Sequence, residues 1–267
     1  MSIIKEAWLD INNISSYIGD FNLISDLTLK LYKNENTILL GPNGSGKSTI
    51  INLINSSIKP IIKDSSHFKL FNSNTINLQD LRKRIGFVDY NNQIRINNTT
   101  KVDEVIKSSF FGAYSMSPIN KLNEKHLELL NRTISDLELQ NIVYKKYGDL
   151  SSGQKQIVQL ARALVNDPEI IILDEPTNNL DIRSKTRFLK IIHMLTNKNK
   201  TFLIATHDNS LLSNLFKRTI CVKDRKIIFN GLTINTVNSK NLSILYDLPI
   251  TVSNANGHYI VQVLNNE

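Results

Sequence analysis

Two hydrophobic patterns alternate along the chain and predict its secondary structure. From Ala7 to Lys33, apolar and polar positions alternate around a turn at Ile18-Gly19-Asp20, which predicts an antiparallel β-sheet. Short strands are expected near Phe68–Phe71 and Ile85–Val88. From about Ile94 to Tyr147 the apolar residues follow helical spacing instead, so we expect a helical insertion.

The second half of the chain has the pattern of a parallel α/β core. A helix is expected to begin at Ser151 and to end before Asp167-Pro168. Ile170–Leu173 is an apolar run without alternation, which is typical of a strand buried on both faces of a parallel sheet. Thr201–Ala205 has the same character. The order strand, helix, strand therefore predicts parallel pairing.

The C-terminal stretch has the pattern of a small additional element. A helix is expected around Leu242–Tyr246, followed by alternating runs at Ile250–Val252 and Tyr259–Val263. Asn256-Gly257 lies between these two runs and is typical of a two-residue hairpin turn. The chain contains no internal repeat, so no duplicated domain is expected.

A glycine-rich segment, GPNGSGKST at positions 41–49, lies between a predicted strand end and a predicted helix start. This is the pattern of a phosphate-binding loop, in which glycine lets successive backbone N–H groups turn toward a phosphate. Lys47 would reach the β- and γ-phosphates, and Ser48 could bind Mg²⁺. The expected nucleotide contacts are Gly41, Pro42, Asn43, Gly44, Ser45, Gly46, Lys47, Ser48 and Thr49.

Composition narrows the class of protein. The chain has 267 residues, 41% of them hydrophobic, which is enough for a large domain with a real core. No apolar window is long enough to span a membrane and the N-terminus lacks the pattern of an export signal, so we expect a soluble protein. Cys221 is the single cysteine, which excludes an internal disulfide and fits a reducing compartment. The net charge of +8 favours anionic partners, but the basic residues are dispersed and do not select nucleic acid.

Two further motifs follow the phosphate loop. Leu150-Ser151-Ser152-Gly153-Gln154 opens a helix, and Ile170–Leu173 leads directly into Asp174-Glu175-Pro176. Together with the phosphate loop, these segments resemble the signature and Walker B motifs of the ABC ATPase family, in that family's order and spacing. The resemblance implies an α/β fold: a P-loop NTPase core with a mostly parallel sheet, an N-terminal antiparallel β-subdomain and a helical insertion subdomain. It implies an ATPase domain over 1–235, with the helical subdomain at about 94–155, and a C-terminal helix and hairpin extension over 236–267.

Asp174 and Glu175 lie where a buried strand is predicted to end, and such a position aims side chains at the crevice along the edge of a parallel sheet. There, Asp174 could hold Mg²⁺ through water near Ser48, and Glu175 could orient and polarise the attacking water. A surface turn carrying two carboxylates is the alternative interpretation.

Ser151, Ser152, Gly153 and Gln154 form a predicted helix N-terminus, where free N–H groups favour an anion. A plain helix cap would also explain Ser151. In the ABC ATPase family this segment faces the phosphate loop of a second subunit. The resemblance therefore implies a head-to-tail homodimer, or a dimer with a related ATPase chain, around two ATP molecules. Ser152 stands where the family most often has glycine, and its small side chain is expected to preserve function.

The resemblance assigns roles to four more positions. His207 corresponds to the histidine that contacts the γ-phosphate and braces Glu175, and Asp181 corresponds to the D-loop residue that touches the opposing subunit. Tyr17 corresponds to the aromatic residue that stacks on adenine, with packing against the sheet as the alternative. Gln93 is our choice for the Q-loop glutamine, which links Mg²⁺ to the helical subdomain, although the usual offset falls on Tyr90.

Two other kinds of chemistry are disfavoured. Asn197-Lys198-Asn199-Lys200 superficially resembles a guanine-specificity motif, but it lacks the terminal aspartate and precedes its strand, so GTP is not the expected substrate. The remaining histidines show no metal-ligand spacing and are interpreted as structural or exposed: His67, His126, His193 and His258.

The expected function is that of the ATP-hydrolysing subunit of an ABC transporter, with ATP and Mg²⁺ as ligands and separate integral membrane permease subunits as partners. Such a subunit would be cytoplasmic and peripheral on the inner face of the cell membrane, and nucleic acid is not an expected partner. Leu248–Val252, followed by the glycine hairpin and Tyr259, is also similar to ATPases of iron-complex and molybdate-type importers. The alternative is a soluble ABC ATPase in cluster assembly, translation or nucleic-acid maintenance. A module without turnover is disfavoured because the catalytic residue types are all present.

Overall fold

The computed structural model of the protein describes residues 5–75, 77–89 and 95–264. Its strands, in chain order, are β1 (Ala7–Ile18), β2 (Phe21–Tyr32), β3 (Thr37–Leu40), β4 (His67–Leu70), β5 (Ile85–Val88), β6 (Ile170–Asp174), β7 (Thr201–Thr206), β8 (Arg218–Lys223), β9 (Lys226–Leu232), β10 (Ile250–Ala255) and β11 (His258–Val263). Its helices are α1 (Lys47–Ile54), α2 (Leu78–Arg84), α3 (Val102–Lys107), α4 (Glu124–Asp136), α5 (Ser152–Leu164), α6 (Ile182–Asn197), α7 (Thr233–Thr236) and α8 (Ser239–Tyr246).

Internal contacts divide the chain into two compact units. The first comprises Met1–Ile76 and Thr201–Glu267, and the second comprises Asn77–Lys200. The first unit therefore contains the phosphate loop and His207, whereas the second contains the signature segment and Asp174-Glu175. Across the described residues, no helix has both the length and the apolar character needed to cross a membrane.

An antiparallel sheet in the first unit has the strand order β2-β1-β4. In β2, buried Leu27, Leu29 and Leu31 alternate with exposed Thr28 and Lys30, which is the pattern that the sequence predicted. The turn between β1 and β2 lies at Gly19-Asp20 and has Gly19 at a φ of +56°. The prediction of an N-terminal antiparallel sheet is confirmed.

Four further strands of the first unit, β3, β7, β8 and β9, position the phosphate loop. The strand β3 runs parallel to both β7 and β8, and β9 pairs antiparallel with β8. Every residue of β3 and of β7 is buried, which explains their continuous apolar character. Cys221 lies in β8 and is fully buried, as expected for a core residue.

The C-terminal part of the first unit contains α7, α8 and the β10–β11 hairpin. Asn256 and Gly257 both have positive φ, +51° and +81°, which is the backbone of a tight hairpin turn. The helix and hairpin predicted from the sequence are therefore confirmed. The amide of Asn214 donates to the carbonyl oxygen of Gly257 over 2.8 Å and joins this hairpin to the unit.

In the second unit, β5 and β6 form a parallel pair beside α5. A Cβ atom at Gly86 would lie 2.3 Å from the carbonyl oxygen of Ala163, so glycine permits this close strand-to-helix contact. The predicted helical insertion contains α3 and α4, but residues 112–123 between them are not helical. The Arg162 guanidinium of α5 donates to the carbonyl oxygens of Val105 and Ala113 and thereby holds the irregular segment in place.

Candidate nucleotide-binding site

The loop 41–49 joins the end of β3 to the start of α1. Gly44 and Gly46 have φ of +76° and +110°, a left-handed conformation that glycine adopts without steric cost. Lys47 is buried, and its ammonium donates to the carbonyl oxygens of Gly41 and Pro42 at 2.9 and 3.0 Å. The lysine side chain therefore folds back over the loop. Ser48, in the first turn of α1, is exposed.

Two glycines of the loop lie close to neighbouring backbone, and the space at Gly41 is too small for a side chain. A Cβ atom at Gly41 would lie 2.2 Å from the carbonyl oxygen of Val222, and one at Gly46 would lie 3.3 Å from the Cα atom of Arg225. Within the described part of the chain, the hydroxyl of Ser45 is buried and has no hydrogen-bond partner. A buried donor and a glycine-lined loop at a helix N-terminus fit an anionic ligand such as a polyphosphate.

His207 lies at the same end of the sheet as the loop. Leu40 of β3 is opposite Thr206 of β7, and the amide of Gly41 donates to the carbonyl oxygen of Thr206 at 3.4 Å. His207, the next residue, is half-buried. Asp208 then accepts hydrogen bonds from the amide and hydroxyl of Ser210 and fixes the turn that follows. The first unit therefore brings the predicted phosphate loop and the predicted histidine to neighbouring strand ends.

Tyr17 lies near the end of β1, opposite Asn22 of β2. Its side chain is 44% exposed, and the nearby Phe21 is 56% exposed. The hairpin end thus presents two aromatic rings to solvent. Exposed aromatic rings can stack on a planar ligand such as a nucleotide base.

The signature segment forms the N-terminus of α5 in the second unit. Ser151 Oγ accepts from the Gln154 amide at 3.2 Å, and Gln154 Oε1 accepts from the Ser151 amide at 3.0 Å, which is a complete capping box. Ser151 and Ser152 are exposed, whereas Gly153 is buried. A Cβ atom at Gly153 would lie 2.4 Å from Ser184 Oγ, so the start of α5 packs closely against the start of α6.

Asp174 and Glu175 follow the fully buried residues of β6, as predicted. Both side chains are half-buried, and Glu175 has a φ of +49°, an uncommon backbone conformation for a residue other than glycine. Such backbone strain is often found at functional positions. The strand and turn therefore place this carboxylate pair at the C-terminal end of the parallel β5–β6 pair.

Asp181 caps the N-terminus of α6 and is exposed. Hydrogen bonds from the amide and the hydroxyl of Ser184 lower the pKa of Asp181 below the ordinary aspartate value. The neighbouring Ile182 is 86% exposed. This edge of the second unit therefore combines an ionised carboxylate with an exposed apolar side chain.

Gln93 and the alternative Tyr90 lie outside the described residues. Where side chains are described, no group of three or more His, Cys, Asp or Glu residues is arranged to hold a metal ion.

Residues for which the sequence disfavoured a nucleotide or metal role make other contacts. Lys198 forms an ion pair with Asp136 at 2.7 Å. His67 Nε2 forms a hydrogen bond with Asp10 Oδ1 at 3.1 Å, and His126 stacks on Phe110.

Sequence reasoning missed Arg225, which lies beside the phosphate loop. Its amide donates to the carbonyl oxygen of Ser45 at 2.9 Å. The available signal was the polar pair Asp224-Arg225 between two apolar runs, which marks a turn between strands. Asp224 is a common turn residue, but Arg225 has a φ of +63° at a position where glycine is usual, so the turn signal was weak.

Comparison with known proteins places these motifs in a family. Residues 24–178 match the family model described as ABC transporter. The zinc uptake system ATP-binding protein ZurA of Listeria monocytogenes is 31% identical over 225 residues, which cover 84% of this chain and 85% of that protein. A Helicobacter pylori protein named "Probable iron chelatin transport ATP-binding protein" is 28% identical over 91% of this chain and 94% of its own length.

A solved structure has the same fold. It is an ATP-binding cassette in a dimeric, post-hydrolysis state bound to ADP and Pi, with a TM-score of 0.68 and 25% sequence identity. The match covers 84% of this chain and 98% of that one. The resemblance inferred from the sequence motifs and the predicted α/β fold class are therefore confirmed.

Proposed function

Since this chain belongs to the ABC transporter family and is an ATPase, we propose that two copies close head to tail around two Mg-ATP and drive a separate transmembrane permease. The observation that carries the proposal is the exposed N-terminus of α5, with Ser151 and Ser152 available to an anion from outside the chain. Asp181 and Ile182 are also exposed in the same unit, which supports contact with a second copy.

Each predicted site residue has a proposed role. The amides of loop 41–49 and the Lys47 ammonium hold the phosphates, and Tyr17 stacks on adenine. Glu175 accepts a proton from the attacking water, while His207 contacts the γ-phosphate. Ser151, Ser152, Gly153 and Gln154 bind the phosphates held by the second copy, and Asp181 contacts that copy. Gln93 links the site to the helical subdomain.

Mg²⁺ is a proposed cofactor. Ser48 and Asp174 supply a hydroxyl and a carboxylate, and oxygen ligands of this kind suit Mg²⁺. With so few protein ligands, the remaining positions would be taken by phosphate oxygens and water, as is usual for this ion. The bound ion would neutralise charge that develops on the phosphate oxygens.

The proposed partner and location can be tested by isolating the tagged chain from membranes of its native cells. A co-purifying polytopic membrane protein, retained equally by Glu175→Gln, is expected because docking does not require turnover. Repeated isolation without any such protein would contradict the permease proposal and favour a soluble ABC ATPase. The chain would then not be peripheral on the cytoplasmic face.

The transported substrate is proposed to be a metal ion or a metal chelate. The names of the Listeria and Helicobacter relatives, zinc uptake and iron chelatin transport, support this class. Cells lacking the chain should lose uptake of labelled zinc or iron, and the wild-type chain but not Glu175→Gln should restore it. Undiminished uptake of both metals in the deletion strain would contradict this assignment.

A further inference from the structure

The β8–β9 turn connects two parts of the nucleotide site that lie far apart in the sequence. The backbone amide of Arg225 donates to the carbonyl oxygen of Ser45, inside the phosphate loop, at 2.9 Å. A Cβ atom at Gly46 would lie 3.3 Å from the Cα atom of Arg225, so the two backbones are in close contact. The main chain of Arg225 is therefore fixed to the phosphate loop.

The side chain of Arg225 extends to the β1–β2 hairpin instead. One guanidinium nitrogen donates to the carbonyl oxygen of Asn22 at 2.8 Å, and the guanidinium carbon lies 4.1 Å from the centroid of the Phe21 ring. A charged donor combined with stacking on an aromatic ring is a strong local contact. Asn22 is opposite Tyr17 in the hairpin register, so this contact fixes the backbone pair that carries the Tyr17 ring.

We propose that Arg225 is a positioning residue that holds the Tyr17 hairpin at a fixed distance from the phosphate loop. A bound nucleotide would contact the Tyr17 ring through its base and the phosphate loop through its phosphates, and its ribose fixes the distance between base and phosphates. Simultaneous binding of base and phosphates therefore requires the Tyr17 ring to stay at a matching distance from the loop. The inference rests on the proposed stacking of adenine on Tyr17 and adds the residue that makes such stacking compatible with phosphate binding.

The backbone of Arg225 shows which substitution is informative. Its φ of +63° is left-handed, and asparagine adopts this conformation more readily than alanine does. Arg225→Asn therefore removes the guanidinium while keeping the turn. Lys223→Ala is a matched control, because Lys223 is the last residue of β8, directly before the same turn, but its ammonium donates to the carbonyl oxygen of Ile244 at 2.7 Å and to Asp247.

The test is titration of the full chain with ADP, which needs no second copy for its base and phosphate contacts, and competition by inorganic pyrophosphate. Arg225→Asn should raise the Kd for ADP about tenfold and leave that for pyrophosphate within twofold, since pyrophosphate has no base to position. Lys223→Ala should change neither. Unchanged ADP affinity in Arg225→Asn, or an equal loss for both ligands, would overturn the proposal.

Tyr17→Ala separates this inference from the proposal on which it rests. If Tyr17→Ala weakens ADP binding but Arg225→Asn does not, only the positioning role fails. If Tyr17→Ala leaves ADP binding unchanged, the base-stacking role and the positioning role both fail. The double variant supplies an independent readout: it should bind ADP as Tyr17→Ala does, because Arg225 acts through the hairpin. If the loss of ADP affinity in the double variant equals the product of the two single-variant losses, Arg225 does not act through the hairpin.

Discussion

The ammonium of Lys47 donates a 2.9 Å hydrogen bond to the carbonyl oxygen of Gly41, at the opposite end of the phosphate loop. A second bond to Pro42 fixes the same side chain. The lysine is thus held over the loop in which it would meet a phosphate, and little reorganisation is needed when an anion binds.

Lys47→Ala should reduce ATP hydrolysis about a hundredfold, because it removes a positive charge directed at the phosphates and two hydrogen bonds within the loop. The measurement is steady-state phosphate release at saturating ATP. Lys59→Ala is the matched control, since Lys59 is an exposed lysine of the same unit. Equal activity in the Lys47→Ala and Lys59→Ala variants would contradict the role given to the loop lysine.

Gly153→Ala should lower the thermal stability of the protein. Alanine is favoured over glycine in a helix by about 1 kcal/mol, but its Cβ atom would lie 2.4 Å from Ser184 Oγ. Overpacking of this kind costs about 1–3 kcal/mol and should lower the Tm by several degrees. Combining it with Ser184→Gly should recover part of the loss in a differential scanning experiment. A single variant as stable as the parent would show that α5 and α6 are not in such close contact.

Much of the fold could be predicted because local patterns were strong. The alternation in β2, the capping residue Ser151 and the Asn256-Gly257 turn each specify one structure through backbone chemistry. The helix α2 was missed because Leu81 is its one buried residue, so it has no hydrophobic period to detect. Its capping residue Asn77 was the remaining signal.

The candidate site was predictable to the extent that its residues lie in contiguous motifs. Lys47, Glu175 and His207 each follow or precede an apolar strand, so their positions could be inferred from sequence order. The role of Arg225 could not be inferred in this way, because it depends on contacts with Asn22 and Ser45, which are distant from Arg225 in the sequence. Long-range contacts of this kind leave no local periodicity.

Glu35 should make the stability of the protein depend on pH. Burial alone would raise the pKa of Glu35, but the hydrogen bonds and charges of Lys5 and Arg218 hold it below the ordinary value. A lowered pKa means that the stabilisation is fully present above the unfolded pKa of about 4.3 and is lost as the pH falls through the folded pKa. Glu35→Gln should therefore lower the free energy of unfolding by about 1–3 kcal/mol at pH 7, and by less below pH 4.

Denaturant titrations between pH 7 and pH 3 measure this dependence. Glu6→Gln is the control, because Glu6 is 57% exposed and its ion pair with Lys33 should contribute less than about 1 kcal/mol. A cost of Glu35→Gln that stays constant over the whole pH range would contradict the ionised state assigned to this carboxylate.

Cys221 should be unreactive in the folded protein. Burial raises the pKa of its thiol to about 12, so almost no thiolate is present at pH 8. A thiol-specific reagent should therefore react only after the protein unfolds, and one equivalent per chain should be consumed in denaturant. Rapid labelling of the native protein would contradict the position of Cys221 inside β8.

The most direct measurement of the central claim uses Glu175→Gln in analytical ultracentrifugation with Mg-ATP. If Glu175 activates the attacking water and ATP joins two copies, this variant should bind ATP, release no phosphate above background and sediment as a dimer only when ATP is present. Wild-type protein under turnover, and the variant with ADP, should remain largely monomeric. A Glu175→Gln variant that hydrolyses ATP at the wild-type rate, or that stays monomeric when saturated with ATP, would contradict the account.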